Sequence, residues 1–287
     1  MSVAVAGAPC NVGVAADPNA APPSDVLLDA LQQAGYVGVD LGPPGYLAGA
    51  GELGDRLRAR GFGLAGGWVQ LGVPDTLETL AGLLDACDAA LAAAPDHPPP
   101  RPTIGPPPAP RARIGAPTRL DDAAMDELAA ALDDLAARCR ARGHEPVLHP
   151  HVGTTIETPE DTARMLERSD VELCFDTGHV QLGGGNPLGL LTRWRDRISH
   201  VHLKDVDENI AARLRDEQAA TERTWDSGVF CELGTGDLDL AAAVAALADF
   251  SGWVVIEQDR AVHSEQETQD ALAAQARNRE RLAEVGW

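Results

Sequence analysis

Lysine is almost missing from this chain of 287 residues: of 23 basic side chains, 22 are arginine and Lys204 stands alone. Against 44 aspartates and glutamates they leave a formal charge of −21. Such a polyanion repels phosphate backbones and anionic lipid, and no basic cluster offers a local exception. Nucleic acid and membrane surfaces are therefore not expected as partners. Aromatic residues are scarce at 4%, although hydrophobic residues make up 44% and many of these are alanine. The core must be packed with small aliphatic side chains. No apolar run is long enough to span a bilayer, and no Lys or Arg precedes Arg56, so no secretory signal is expected. The five cysteines (Cys10, Cys87, Cys139, Cys174, Cys231) are odd in number, far apart and without a C-x-x-C pair. Free thiols in a reducing compartment follow, and the expected location is cytoplasmic.

What is present alternates. Strands are expected at 2–8, 36–42, 62–71, 145–151, 171–179, 197–205 and 252–259. Helices are expected at 23–35 (capped by Ser24), 50–61, 75–94, 121–142 and 158–168, with others near 187–195, 207–220, 238–249 and 264–284. Thr158, followed by Pro159 and Asp161, has the pattern of a capped helix start. Residues 95–117 hold ten prolines, which cannot donate to a sheet ladder. Within them "RPTIG" is at best a short strand, and the rest reads as a surface loop or, equally, as a disordered low-complexity insert. About eight β-then-α units, with no Gly-rich dinucleotide fingerprint after the first strand, predict an α/β fold. In a chain of this length they favour a single closed (β/α)8 TIM barrel over residues 1–287 rather than a doubly wound sheet.

Chemistry in such a barrel sits where strands end. Four successive late strands end in groups able to hold a metal: His149 and His151, then Asp176 with His179, then His200 and His202, then Glu257. Five of the eight histidines fall between 149 and 202. Each such residue alone has a plainer role, a structural histidine or an acid capping the next helix. Four consecutive strand ends doing this together point to one site. A mixed His/Asp/Glu set suits a divalent transition ion, Mn²⁺ or Co²⁺ with Zn²⁺ or Fe²⁺ also compatible, better than Mg²⁺ or Ca²⁺. "DTG" occurs once, so the paired triplets of an aspartic protease are missing. "GTGDLD" (234–239) reads as a turn and helix cap rather than a phosphate cradle.

"HPHVGTTIETPED", "FDTGHVQLGGGNP", "RISHVHLKDV", "ELGTGDLD" and "GWVVIEQD", together with "AGYVGVDLGPPGYL", resemble the xylose-isomerase-like barrel superfamily. Within it they are most similar to the inosose (2-keto-myo-inositol) dehydratases. The resemblance implies Asp176, His202 and Glu257 as metal ligands. His149 stands at the first ligand position, where the superfamily usually has glutamate. It implies His179 and His151 in the substrate pocket, and Trp68 and Glu157 are expected to bind substrate beside them. One departure stands at the end of the first strand, where this branch commonly has a tryptophan and the chain reads "APCNVGV".

The superfamily's shared chemistry is proton abstraction beside a carbonyl held on a divalent ion. Its epimerases use two metal-bound glutamates on opposite faces of the sugar. With His149 in place of one, Glu257 is left as the single glutamate, an arrangement suited to loss of water. Lys204, which shares a face with His202, or His179 would protonate the departing hydroxyl. A neighbouring cation would be expected to lower the Lys204 pKa, and pairing with Asp205 or Asp207 on a loop is the alternative for this lysine. The expected activity is thus a metal-dependent dehydratase of a polyhydroxy cyclic ketone in inositol catabolism. A ketose isomerase or epimerase, or an enzyme eliminating from 3-keto sugars or glycosides, is the alternative. The DNA-repair branch of the same fold is disfavoured by the charge. The partner is a small polyol ketone or sugar, and a homo-oligomer is compatible with everything in the sequence.

Overall fold

The computed structural model describes residues 3–287. Its first half contains β1 (Val3–Gly7), α1 (Ser24–Gln33), β2 (Gly38–Val39), α2 (Ala50–Arg60), β3 (Gly63–Leu64), β4 (Gly66–Gln70), α3 (Thr76–Ala93), β5 (Arg101–Gly105) and α4 (Asp122–Ala141). There follow β6 (Val147–Leu148), α5 (Pro159–Leu166), β7 (Glu172–Asp176), α6 (Thr177–Leu182), α7 (Pro187–Arg193) and β8 (Ile198–Leu203). The last part holds β9 (Asp205–Val206), α8 (Glu208–Asp216), α9 (Thr224–Ser227), β10 (Phe230–Cys231), α10 (Leu240–Ala246), β11 (Gly252–Ile256) and α11 (Glu265–Glu284).

Nine parallel strand segments form one sheet in the order β3-β2-β1-β11-β8-β7-β6-β5-β4. The two ends of that order are separated only by Ala65, so they are halves of one barrel strand. Its first half pairs with β2 and its second with β5. Ala65 N–H donates to Val39 C=O, and Leu41 N–H to Gly66 C=O, which carries the ladder across the join. Eight barrel strands result, helices lie between them, and the expected α/β barrel is the observed fold. Two further strands, β9 and β10, form a small antiparallel pair beyond β8.

Alternation decides which side chains enter the barrel. Ala4, Ala6 and Ala8 share the interior with Ala65, Trp253 and Val255. The small residues make room for one large one. A Cβ at Gly38 or Gly63 would come within 2.5 or 2.6 Å of the Trp253 ring. The row Trp253, Val255 then continues upward to Glu257 and Asp259. Most other apolar residues lie between sheet and helices in a large cluster dominated by leucine and valine.

Several boundaries differ from expectation. "RPTIG" is a full strand, β5, within the Pro-rich segment. Arg101 N–H donates toward β4, at Ala65, whereas Ile104 C=O accepts from His149 on the β6 side. Pro102 therefore faces β6, where pairing starts only at Thr103, and no ladder bond is lost. Helix α1 is not capped by the Ser24 side chain: Ser24 is its first residue, and Pro23 stands at the cap position without a side-chain bond. The strand expected at 171–179 stops at Asp176, whose carboxylate accepts from His179 N–H and opens α6. His179 thus sits in the first turn of a helix, not on a strand. Thr158 does cap α5, accepting from Asp161 N–H with Pro159 at the first helical position. The short α6 and the β9–β10 pair had no counterpart in the sequence reading.

Candidate metal centre

Four strand ends on one side of the barrel bring His149, Asp176, His202 and Glu257 together. One donor atom from each lies within 4.8 Å of all the others. The register explains the convergence, because β8 pairs Asp176 with His202 on one side and Val255 with His202 on the other. His149 Nε2 stands 3.0 Å from His202 Nδ1 and 3.5 Å from Asp176 Oδ2. His202 Nδ1 is 3.0 Å from Glu257 Oε2 and 3.7 Å from Asp176 Oδ2. All four residues are buried.

The donor set fits a divalent transition ion. His149 Nδ1 lies 3.0 Å from the carbonyl of Pro150, which places the ring proton on Nδ1 and turns the Nε2 lone pair to the cluster. Burial holds His149 below the usual imidazole range, so the ring is neutral as a ligand must be. Burial pushes the Glu257 carboxyl upward, but His202 and Lys204 beside it outweigh that and keep it ionised. Cys174 and Glu257 in turn raise the His202 imidazole against its burial, and the proton it holds is the one an ion would displace. Two nitrogens and two carboxylate oxygens result.

Lys204 is the largest departure from expectation. It does not reach Asp207, and Asp205 beside it is engaged elsewhere. Its Nζ is buried against Glu257 Oε2 at 2.6 Å, Asp176 Oδ2 at 2.8 Å and Asp259 Oδ2 at 3.2 Å. His179 Nε2 is 3.2 Å away. Burial disfavours the charge, but Asp176, Asp259 and Glu257 together raise the pKa well above the usual lysine range rather than lowering it. The stem runs past Gly178, where a Cβ would meet Lys204 Cβ at 2.6 Å. That contact accounts for the glycine of "DTG".

Above the cluster opens a cavity of about 710 Å³, lined among others by Cys10, Asp40, Trp68, His151, His179 and Asp259. Trp68 packs edge-on to His149 and His151, with ring centroids 5.3 and 5.5 Å apart. A Cβ at Gly105 would lie 1.9 Å from the Trp68 ring, so a side chain there would displace it. The His151 and His179 rings lie 3.6 Å apart, and burial, aided by His149, pushes His151 down to about 3. Glu157 is not among the lining residues. Its carboxylate accepts from Gly153 N–H and folds the loop after His151, so it shapes the wall without facing the cavity. His200 is fully buried and stands beside the His202 ring rather than in the four-donor cluster.

Asp40, Asp259 and Cys10 were not singled out in the sequence. Asp259 had a signal, since it lies two residues beyond Glu257 on the same inward row. Asp40 closes β2 in the same way, and burial together with Glu257 pushes its carboxyl up to about 6.

Residues 28–278 match the family model of xylose isomerase-like TIM barrels. The chain belongs to this family. Among curated relatives it is 38% identical over 151 residues to an inosose dehydratase of Geobacillus kaustophilus, covering 50% of this chain and 49% of that protein. It is 34% identical over 150 residues to an inosose dehydratase of Bacillus velezensis, covering 50% of each. The chain thus spans about half the length of the curated relatives it matches. Among solved structures, the IolI protein with a bound zinc atom superposes with a TM-score of 0.70 at 12% identity, covering 98% of this chain and 99% of that one. An L-ribulose 3-epimerase gives 0.67 at 17% identity, covering 99% and 96%. At such identities the structures speak for the fold alone. No helix among the described residues is long and apolar enough to cross a membrane.

Proposed function

We propose that this chain is a metal-dependent hydro-lyase acting on a polyhydroxy cyclic ketone of the 2-keto-myo-inositol kind. His149, Asp176, His202 and Glu257 would hold the ion. An ion in this shell supplies a Lewis acid for the ketone oxygen and the negative charge that gathers there. The similarity to curated inosose dehydratases supports the substrate class, and the donor set supports a transition ion, of which the zinc atom bound in the IolI structure is an example.

The observation that carries the reading is the contact between the one glutamate of the cluster and the one lysine of the chain. Glu257 takes the proton from the carbon beside the carbonyl as that C–H bond breaks. The electron pair moves toward the carbonyl and returns to form the double bond as the neighbouring C–O bond breaks. Lys204, or His179 beside it, gives the departing hydroxyl its proton, and water leaves. Elimination then leaves the base with one proton too many and the acid with one too few. At 2.6 Å, Glu257 Oε2 hands that proton back to Lys204 Nζ directly. A two-base epimerase ends each turnover with the same imbalance, but between bases on opposite faces of its substrate, whereas here the two groups are in direct contact. His151 and Trp68 hold the ring of the substrate from the side.

The deciding experiment incubates metal-loaded protein with 2-keto-myo-inositol in D₂O. Loss of water with appearance of a diketone chromophore, without inversion at the α-carbon, is the expected result. Efficient epimerisation of a ketose with solvent deuterium at the inverted carbon would replace this reading by the epimerase one.

A further inference from the structure

We propose that Lys204 stands where a second divalent cation would bind, and that its ammonium restricts the barrel top to a single ion. The inference rests on the ligand set proposed above for the first ion.

An ammonium has three protons to donate, yet four acceptor atoms surround Lys204 Nζ. They are Glu257 Oε2, Asp176 Oδ2, Asp259 Oδ2 and His179 Nε2, between 2.6 and 3.2 Å away. Three carboxylates and an imidazole are more than one lysine needs, and they are a shell that zinc-class or manganese-class ions accept. Two of these groups, Asp176 and Glu257, also belong to the cluster with His149 and His202. Two donor sets sharing carboxylates is the arrangement of two-metal sites, whose ions lie about 3.5–4 Å apart.

Two independent features favour an ion at this position. His151, His179 and Asp259 form a further group whose donor atoms all lie within 4.8 Å of one another, so a fifth donor is close at hand. His179 Nε2 faces the Lys204 ammonium at 3.2 Å, so its lone pair already lies on the side that would take an ion. Contracting the shell to metal–ligand distances of about 2.0–2.2 Å asks each donor to move by roughly 0.5–1 Å. Removing the lysine stem frees the space for that movement.

The test counts ions. Wild type, Lys204→Ala, Lys204→Arg and the double variant Lys204→Ala/Asp259→Asn are loaded with Mn²⁺, dialysed and analysed by mass spectrometry of the metal. Lys204→Ala is expected to retain one more ion per chain than wild type, and Lys204→Arg the same number as wild type. The double variant is expected to lose the extra ion. The electron paramagnetic resonance spectrum of Mn²⁺-loaded Lys204→Ala should show an exchange-coupled pair, which an ion bound elsewhere would not give. Lys204→Ser, also small and uncharged, is read in the same way if the alanine variant does not fold. Equal counts in wild type and the small variants, or an extra ion without coupling, overturn the inference. A wild type that retains no ion strikes instead at the proposed function, because the inference is read as a difference between two proteins.

Discussion

Around Lys204 the walls are the Gly178 backbone and the Phe230 ring, whose centroid lies 5.5 Å from Nζ. A guanidinium is larger than an ammonium, planar and not deprotonated in proteins. Lys204→Arg should therefore lower turnover by about two to four orders of magnitude, the usual worth of a general acid or base, with metal content unchanged. Near-normal turnover in that variant would remove Lys204 from the chemistry. At the ligand position, His149→Ala should weaken ion retention and His149→Glu should restore it, as read by metal analysis. Asp40 gives a prediction in pH. Its carboxyl is raised to about 6 by burial first and then Glu257, so the folded state holds this proton more tightly than the unfolded chain does. Stability from this group is present at low pH and is lost as pH rises from about 4 to about 6. A shift of about two units corresponds to about 3 kcal/mol. Asp40→Asn should therefore be more stable than wild type at pH 7 and no more stable at pH 4, measured by urea unfolding. The residue scale is also where the sequence was most readable. Lys204 drew notice by being alone, and His202 placed it on the inward face. Asp40 and Asp259 each sit on such a row too, but nothing in composition marks one aspartate among so many.

At the scale of elements, the loop between β10 and α10 hangs on one carboxylate. Asp205 accepts from the backbone N–H groups of Val206, Gly234, Gly236 and Leu238, and is fully buried. A Cβ at Gly236 would lie 2.4 Å from Asp205 Oδ1, so the glycine is what lets the chain wrap the acid. "GTGDLD" is indeed a turn leading into a cap, with Asp239 accepting from Ala242 N–H. Asp205→Ala leaves these donors without an acceptor, and a lost buried partner costs about 1–3 kcal/mol. The variant should show faster amide hydrogen exchange concentrated at 232–239, and exchange unchanged in that stretch would contradict the role. Strand lengths were the least legible feature. The apolar run at 145–151 suggests a long strand, yet β6 pairs only over Val147 and Leu148. Pairing length in a parallel sheet depends on both neighbours, and these are distant in sequence. The end of β7 was misread because "FDTGH" serves the strand and the cap of α6 at once.

For the whole molecule, alternation of strand and helix patterns was enough to reach the barrel, because regular β-then-α units leave few other ways to bury both faces of a parallel sheet. Closure through the strand interrupted at Ala65 was not visible, since it depends on both halves choosing different partners. If an ion bridges β6, β7, β8 and β11, it should stabilise the entire fold. At a free concentration about 100 times its Kd, the gain is about 2.7 kcal/mol. Melting with Mn²⁺ and with a chelator should differ accordingly in wild type and coincide in Asp176→Ala and His202→Ala. Coincident wild-type melts would remove the ion from the site.

The closing strand has one more consequence. All four groups proposed to hold the ion come after α4, whereas the strands before it contribute only cavity wall, among them Asp40, Trp68 and Thr103. The reagent is thus written on the later stretch alone, whereas the address label is shared between both, with His151 and Trp225 contributed by the later one. Descendants that exchange the early stretch inherit the same reaction with a new substrate, and a chimera joined after α4 should keep its ion while changing its preferred ketone.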